Sequence, residues 1–372
     1  MRSSYHTNWD PEFAIHPNPK VKRLAWRHHQ SISRTLIESR PFDLSEFPRV
    51  HATLSSPHLL LGFNPGGDRI LFRSESPYTC ASDETVMFYS ATYATDSMIV
   101  LDESHMCFGP AEVGRSDRLL FPHTGGIYGG HGIRSVPIDG SEAAVVLNPS
   151  GGDDFGLDPT GGMVVHRESN PYDQTRRLLA TPVDRRQLTV LSTSALHHGP
   201  FRFTPTGDRV LYIAAHGAQF ELWSVPLDAS EPPIRLHDPL GAGEEILSFE
   251  LLPAGRRAIV HGRFGDKEEL RLVRTRELVP STTLPDVFQG TIQSYVVDSR
   301  GKRVIVKGDR DGNGEIRLYS YSLRNPGQAF VFPGLDAQSL QSLLPVHPLS
   351  RAAGADRAQP GISTAGNREA QD

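Results

Sequence analysis

The sequence predicts an all-β chain: a seven-bladed β-propeller of four-stranded antiparallel blades, with six or eight blades as the alternatives. Two observations carry this reading. A short apolar strand returns every 44–49 residues, and a turn built on proline and glycine stands just before most of its copies. Composition agrees, since 34 glycines and 29 prolines are spread along all 372 residues instead of gathering in one stretch.

The recurring strand is Arg23–Trp26, Arg69–Phe72, Arg118–Phe121, Met163–Val165, Arg209–Tyr212, Ala258–Val260 and Arg303–Val306. A first strand precedes it and ends in a turn such as Phe63-Asn64-Pro65-Gly66-Gly67-Asp68 or Phe203-Thr204-Pro205-Thr206-Gly207-Asp208. Proline presets φ for such a turn and glycine accepts positive φ, so the segment is hairpin chemistry. The first and third units lack the pattern and carry Pro17-Asn18 and Arg115-Ser116 instead. A third strand follows a variable loop and closes on Pro-x-Asp in several units, as in Glu221–Asp228, Gly132–Asp139 and Arg177–Asp184. A short fourth strand ends the unit, as in Ala143–Leu147 or Leu188–Leu191.

Phe203 to Asp228 resembles the TolB-like (WD40-like) propeller repeat, whose pattern is Phe-Ser-Pro-Asp-Gly, an Ile-x-Phe strand and then Glu-Leu-Trp. The resemblance covers roughly residues 10 to 335 and implies a fold more than an activity. Similar repeats occur in periplasmic scaffold proteins, in the gating propellers of prolyl peptidases and in some polysaccharide lyases. The domain expectation is a propeller over 1–350 and a disordered tail over 351–372, which offers little to bury. Gln341–Pro348 reads as a further first strand, either a vestige or a latch.

A formal charge of -5 with no long run of either sign gives no nucleic-acid footprint. The N-terminus lacks the apolar core of a secretory signal and no apolar run is long enough to span a membrane. As written the chain is expected in the cytoplasm, or in the periplasm or outside the cell if the start codon hides a leader. The two cysteines, Cys80 and Cys107, form no Cys-x-x-Cys motif and read as inert thiols. A Gly-x-Ser-x-Gly elbow and a phosphate loop are both missing from the sequence.

If first strands line a channel, the loops ahead of them open on one face. Those loops hold His58, His105, Asp154, His197, His198, Glu245 and Gln289. The second-to-third-strand loops are read as adding His28, His29, His123, His131, His166, His216 and His261, so eleven of the 16 histidines fall on that face. Imidazoles and carboxylates converging there could hold a divalent metal or act as acid and base near neutral pH. The competing reading is solvated loop histidines, and no His-x-x-x-His spacing is present. Asp309, Asp311 and Asn313 resemble the start of a calcium loop, although the position where an EF-hand needs an acid is Ser320. A hairpin rich in turn formers explains the same residues.

Two functions follow. The first is a non-catalytic binding or scaffold propeller, expected to be a monomer, that recognises a protein, peptide or glycan on its channel face. The second is a metal-dependent lyase or hydrolase with a histidine ring at the channel mouth.

Overall fold

The computed structural model describes residues 13–21, 23–31, 34–41, 47, 49–54, 58–74, 85–92, 97–105, 112–113, 115–124, 131–149, 154–169, 176–193, 197–284, 288–324 and 329–331. The predicted tail, the Gln341–Pro348 segment and both cysteines lie outside them.

The strands form seven four-stranded antiparallel sheets, each from consecutive segments of chain. Sheet 1 holds β1 (Phe13–Ile15), β2 (Arg23–Ser31), β3 (Arg34–Pro41) and β4 (Arg49–Leu54). Sheet 2 holds β5 (His58–Phe63), β6 (Arg69–Ser74), β7 (Thr85–Thr92) and β8 (Met98–His105). Sheet 3 holds β9 (Glu112–Val113), β10 (Arg118–Thr124), β11 (His131–Pro137) and β12 (Val145–Asn148). Sheet 4 holds β13 (Phe155–Leu157), β14 (Met163–Ser169), β15 (Arg176–Pro182) and β16 (Thr189–Ser192). Sheet 5 holds β17 (His197–Phe203), β18 (Arg209–His216), β19 (Gln219–Pro226) and β20 (Ile234–Arg235). Sheet 6 holds β21 (Glu245–Leu251), β22 (Arg257–Phe264), β23 (Lys267–Arg274) and β24 (Thr282–Thr283). Sheet 7 holds β25 (Ile292–Val297), β26 (Arg303–Gly308), β27 (Arg317–Ser322) and β28 (Ala329–Val331). This is the seven-bladed fold class that the repeat predicts.

Contacts divide the chain into two compact units. Unit 1 is Met1–His197, Phe203–Ala214 and Ser224–Ile234; unit 2 is His198–Arg202, Ala215–Trp223 and Arg235–Asp372. Within each unit the core lies between neighbouring sheets. Ile70 and Phe72 of β6 pack with Ile37 and Leu54 of sheet 1, while Leu71 packs with Leu119 and Phe121 of sheet 3. Leu120 turns the other way, onto Phe155 and Val164 of sheet 4. In unit 2, Ile259 and Leu270 of sheet 6 meet Val304 and Val306 of sheet 7. A second strand buried on both faces cannot alternate apolar with polar, which is why the anchors read as continuous apolar runs.

The turns behave as their residues dictate. Gly67, Gly161, Gly207, Gly255 and Gly301 take φ between 62° and 77°, and in the third unit, where the glycine is missing, Asp117 takes φ 52°. A Cβ at Gly161 would stand 2.4 Å from the backbone nitrogen of Arg115, so the close approach as well as the dihedral requires glycine there.

The arginine that opens several second strands is a structural clasp. Arg118, Arg209 and Arg303 each donate Nε to a third-strand serine hydroxyl (Ser135, Ser224 and Ser320) at 2.8–2.9 Å. Each also reaches the same serine's carbonyl at 3.3–3.4 Å. Arg69 donates to Ser90 at 3.0 Å in the second unit. Among the described residues no helix is long and apolar enough to cross a membrane.

Candidate functional site

The residues proposed from sequence take different places in the strands. His58 opens β5, and His197 and His198 open β17, so these three do stand at first-strand starts. His105 does not: it ends β8, the outer strand of sheet 2, because that strand runs eight residues where a short one was expected. His58 pairs with Ser74, and Thr85 with His105, so both histidines sit at the same end of sheet 2 but three strand spacings apart, about 14 Å. The side chains of His58, His105, His197 and His198 lie outside the described set.

The described candidates have partners of their own. Asp154 takes an ion pair from Arg167 at 2.6 Å, and Glu245 one from Arg263 at 2.9 Å. Gln289 is exposed, and its backbone N–H donates to the Arg310 carbonyl at 2.8 Å. Asp309 is buried, and its two carboxylate oxygens accept the N–H groups of Gly312, Asn313 and Gly314 at 2.7–3.2 Å. Asn313 Oδ1 accepts the Glu315 N–H and Asp311 Oδ1 accepts Arg310 Nε. These oxygens face donors of their own turn, the arrangement a hairpin turn makes. Among the described residues no group of three or more His, Cys, Asp or Glu side chains comes together as a metal would require.

A second correction concerns the histidines assigned to second-to-third-strand loops. His28, His29, His123, His166 and His261 lie inside second strands, His216 ends one and His131 begins a third strand. His166 and His261 are buried. Second strands run six to nine residues, past the apolar anchor, which is why these positions fall in strands instead of loops.

His261 leads to a constellation that sequence reading missed. It pairs across β21–β22 with Ser248, immediately after a β-bulge between Ile246 and Ser248. A bulge re-aims the side chain that follows it, and β5 and β25 carry bulges at matching places. Ser248 Oγ lies 3.5 Å from His261 Nδ1 and 3.2 Å from the Tyr295 hydroxyl on β25. His261 Nε2 lies 3.1 Å from Glu268 Oε2, which also accepts the Ile292 N–H at 2.7 Å. The proton order follows from the donor inventory. A carboxylate only accepts, so when the ring carries one proton Nε2 holds it and Nδ1 accepts from Ser248. Ser248 has one hydrogen to give, so it accepts from Tyr295. The chain Tyr295, Ser248, His261, Glu268 therefore runs one way.

Electrostatics hold this order. Burial raises the Glu268 carboxyl, but the bonds from His261 and Ile292 outweigh it and keep the group below its ordinary value, hence ionised. Burial pushes the Tyr295 phenol well up, opposed by its bond to Ser248, so it stays a donor. Tyr295 also feels Glu250 of β21 and Arg202 of β17. Residues of unit 2 on β17, β21 and β25 thus place a guanidinium and a carboxylate within electrostatic reach of two hydroxyls, all on half-buried residues.

Two open grooves lie at the opposite, turn end of the sheets. One of about 350 Å³ is lined by Asp208, Arg209, Asp228 and Glu231. Another of about 330 Å³ is lined by Asp68, Arg69, Asp117, Arg118, Asp139 and Glu142. Their arginines are the clasps already described.

No protein-family model matches the chain, and no curated protein matches it. Solved structures do. An oligogalacturonate lyase in complex with manganese is 13% identical over 82% of this chain and 83% of its own, with a TM-score of 0.46. A putative TolB from Agrobacterium tumefaciens is 14% identical over 77% and 83%, with a TM-score of 0.37. The chain has the fold of a seven-bladed β-propeller. A structure from a study of two prolyl endopeptidases is 11% identical over 87% of this chain, with a TM-score of 0.44, and this propeller spans half of that protein's length. At such identities the likeness concerns the fold alone.

Proposed function

We propose that this propeller is a recognition module that holds a protein, peptide or glycan against the first strands of unit 2. The carrying observation is the Ser248–Tyr295 hydroxyl pair on neighbouring first strands, within electrostatic reach of Arg202 and Glu250. Rigid strands hold such groups with little ordering cost, and tyrosine and arginine contribute contact area together with polar specificity. Acidic groups at the strand starts, Asp154 and Glu245, are already neutralised by Arg167 and Arg263, which favours recognition over acid–base work at that edge. The metal-dependent alternative rests on His58, His105, His197 and His198, at strand starts and ends, and on Gln289 ahead of β25.

The test is a screen of the purified chain on arrays of short peptides and of neutral and acidic oligosaccharides. The best array binder is expected to lose about 10–100-fold in affinity on Arg202→Ala, the scale of one charge-assisted contact. A binder that is indifferent to Arg202→Ala and Tyr295→Phe but lost on Asp139→Ala would move recognition to the turn-end grooves and overturn this assignment.

A further inference from the structure

Beyond recognition, these strands hold the parts of a nucleophile. We infer that Ser248 is an activated serine, with His261 as its base and Glu268 as the positioning residue, able to accept the acyl group of a carboxylic ester. The inference rests on the recognition reading only in that both use the same first strands.

Three observations carry it. The acid–base–nucleophile order is contiguous, with contacts of 3.1 and 3.5 Å. The longer Ser248–His261 separation is within what an unliganded site shows before substrate draws the pair together. Glu268 is anchored independently by the Ile292 N–H, so it fixes the tautomer with Nδ1 free to receive a proton. Ser248 and Tyr295 are half-buried and His261 is buried.

The chemistry balances with these groups and water. Ser248 Oγ bonds to the ester carbonyl carbon as its proton passes to His261 Nδ1. When the carbon–oxygen bond to the alcohol breaks, the alcohol leaves with the proton from His261. A water then attacks the acyl-serine, gives one proton to His261 and releases the acid, and that proton returns to Ser248. Structurally, the same four residues also tie sheet 6 to sheet 7, and a tie alone would not make the serine reactive.

A fluorophosphonate probe separates the two, because it replaces fluoride by a phosphorus–oxygen bond only at an activated serine. The intact chain is expected to gain one probe mass, mapped to Ser248, and to gain none in Ser248→Ala. His261→Gln should slow labelling by about 100-fold or more, the usual contribution of a general base. Glu268→Gln, isosteric and so the safer variant for folding, should slow labelling and move its pH midpoint downward, since the imidazolium loses its carboxylate. A mere structural tie predicts no label, or a label indifferent to His261→Gln; either result overturns the inference. The probe needs no natural ligand. An unlabelled chain that still binds on the arrays sinks this inference alone, and a labelled chain that binds nothing sinks the recognition reading alone.

Discussion

Phe121→Ala should lower stability by about 3–5 kcal/mol, read from denaturant unfolding, the range for deleting a fully buried aromatic ring. Phe121 is fully buried and stacks on Phe88 of the neighbouring sheet with ring centroids 4.3 Å apart. It also packs with Leu71, Val86, Leu119, Val136 and Ile138, so the ring fills the seam between sheets 2 and 3. Truncation leaves a cavity that rigid sheets on both sides cannot collapse into. Phe121→Leu keeps most of the volume and should cost less, under about 2 kcal/mol. A loss below about 1 kcal/mol for the alanine variant would mean that neighbouring sheets do not share this core.

Acid should destabilise unit 1 in a defined window. His166 is fully buried in β14, and burial holds its pKa down at about 4. Asn148 Nδ2 donates to its Nδ1 at 3.2 Å, so the proton sits on Nε2, which has no hydrogen-bond partner among the described residues. The native ring is neutral, whereas the unfolded ring takes a proton below its model value of 6.5. Stability is therefore intact above pH 6.5 and falls as pH drops toward 4, by about 3 kcal/mol in all. In unit 2 His237 acts in the same direction, its pKa lowered chiefly by burial. His166→Gln keeps an acceptor for Asn148 and cannot charge, so its unfolding midpoint should depend less steeply on pH across that window. An unchanged slope would show that His166 is not the group taking up the proton.

The fold was largely legible because a propeller repeats its physics. Arg209–Tyr212 and most of its counterparts read as apolar runs because they are buried on both faces, and the Pro-x-Gly turns mark the hairpins that feed them. The third unit shows the limit, because Asp117 takes the left-handed conformation that sequence reading reserves for glycine. The site was less legible. A histidine after a short apolar run reads as the strand's exit, yet His166 and His261 stay buried because Asn148 and Glu268 meet them from other strands. Such partners are fixed by register and not by local sequence. One signal was available: Ser248 and Tyr295 are 47 residues apart, a single repeat, so aligning the repeats in columns places them on neighbouring first strands. The clasp serines, Ser135, Ser224 and Ser320, stand at matching places in the third strands and could have been found in the same way.

The direct measurement is the protonation pattern of the His261 ring, read by nitrogen NMR of protein labelled with ¹⁵N-histidine and assigned by loss of the signal in His261→Gln. A one-way chain from Tyr295 through Ser248 to Glu268 predicts a neutral ring with its proton on Nε2 and an accepting Nδ1. A proton found on Nδ1 would reverse the chain at its centre, leave Ser248 without a base, and contradict the account of this site.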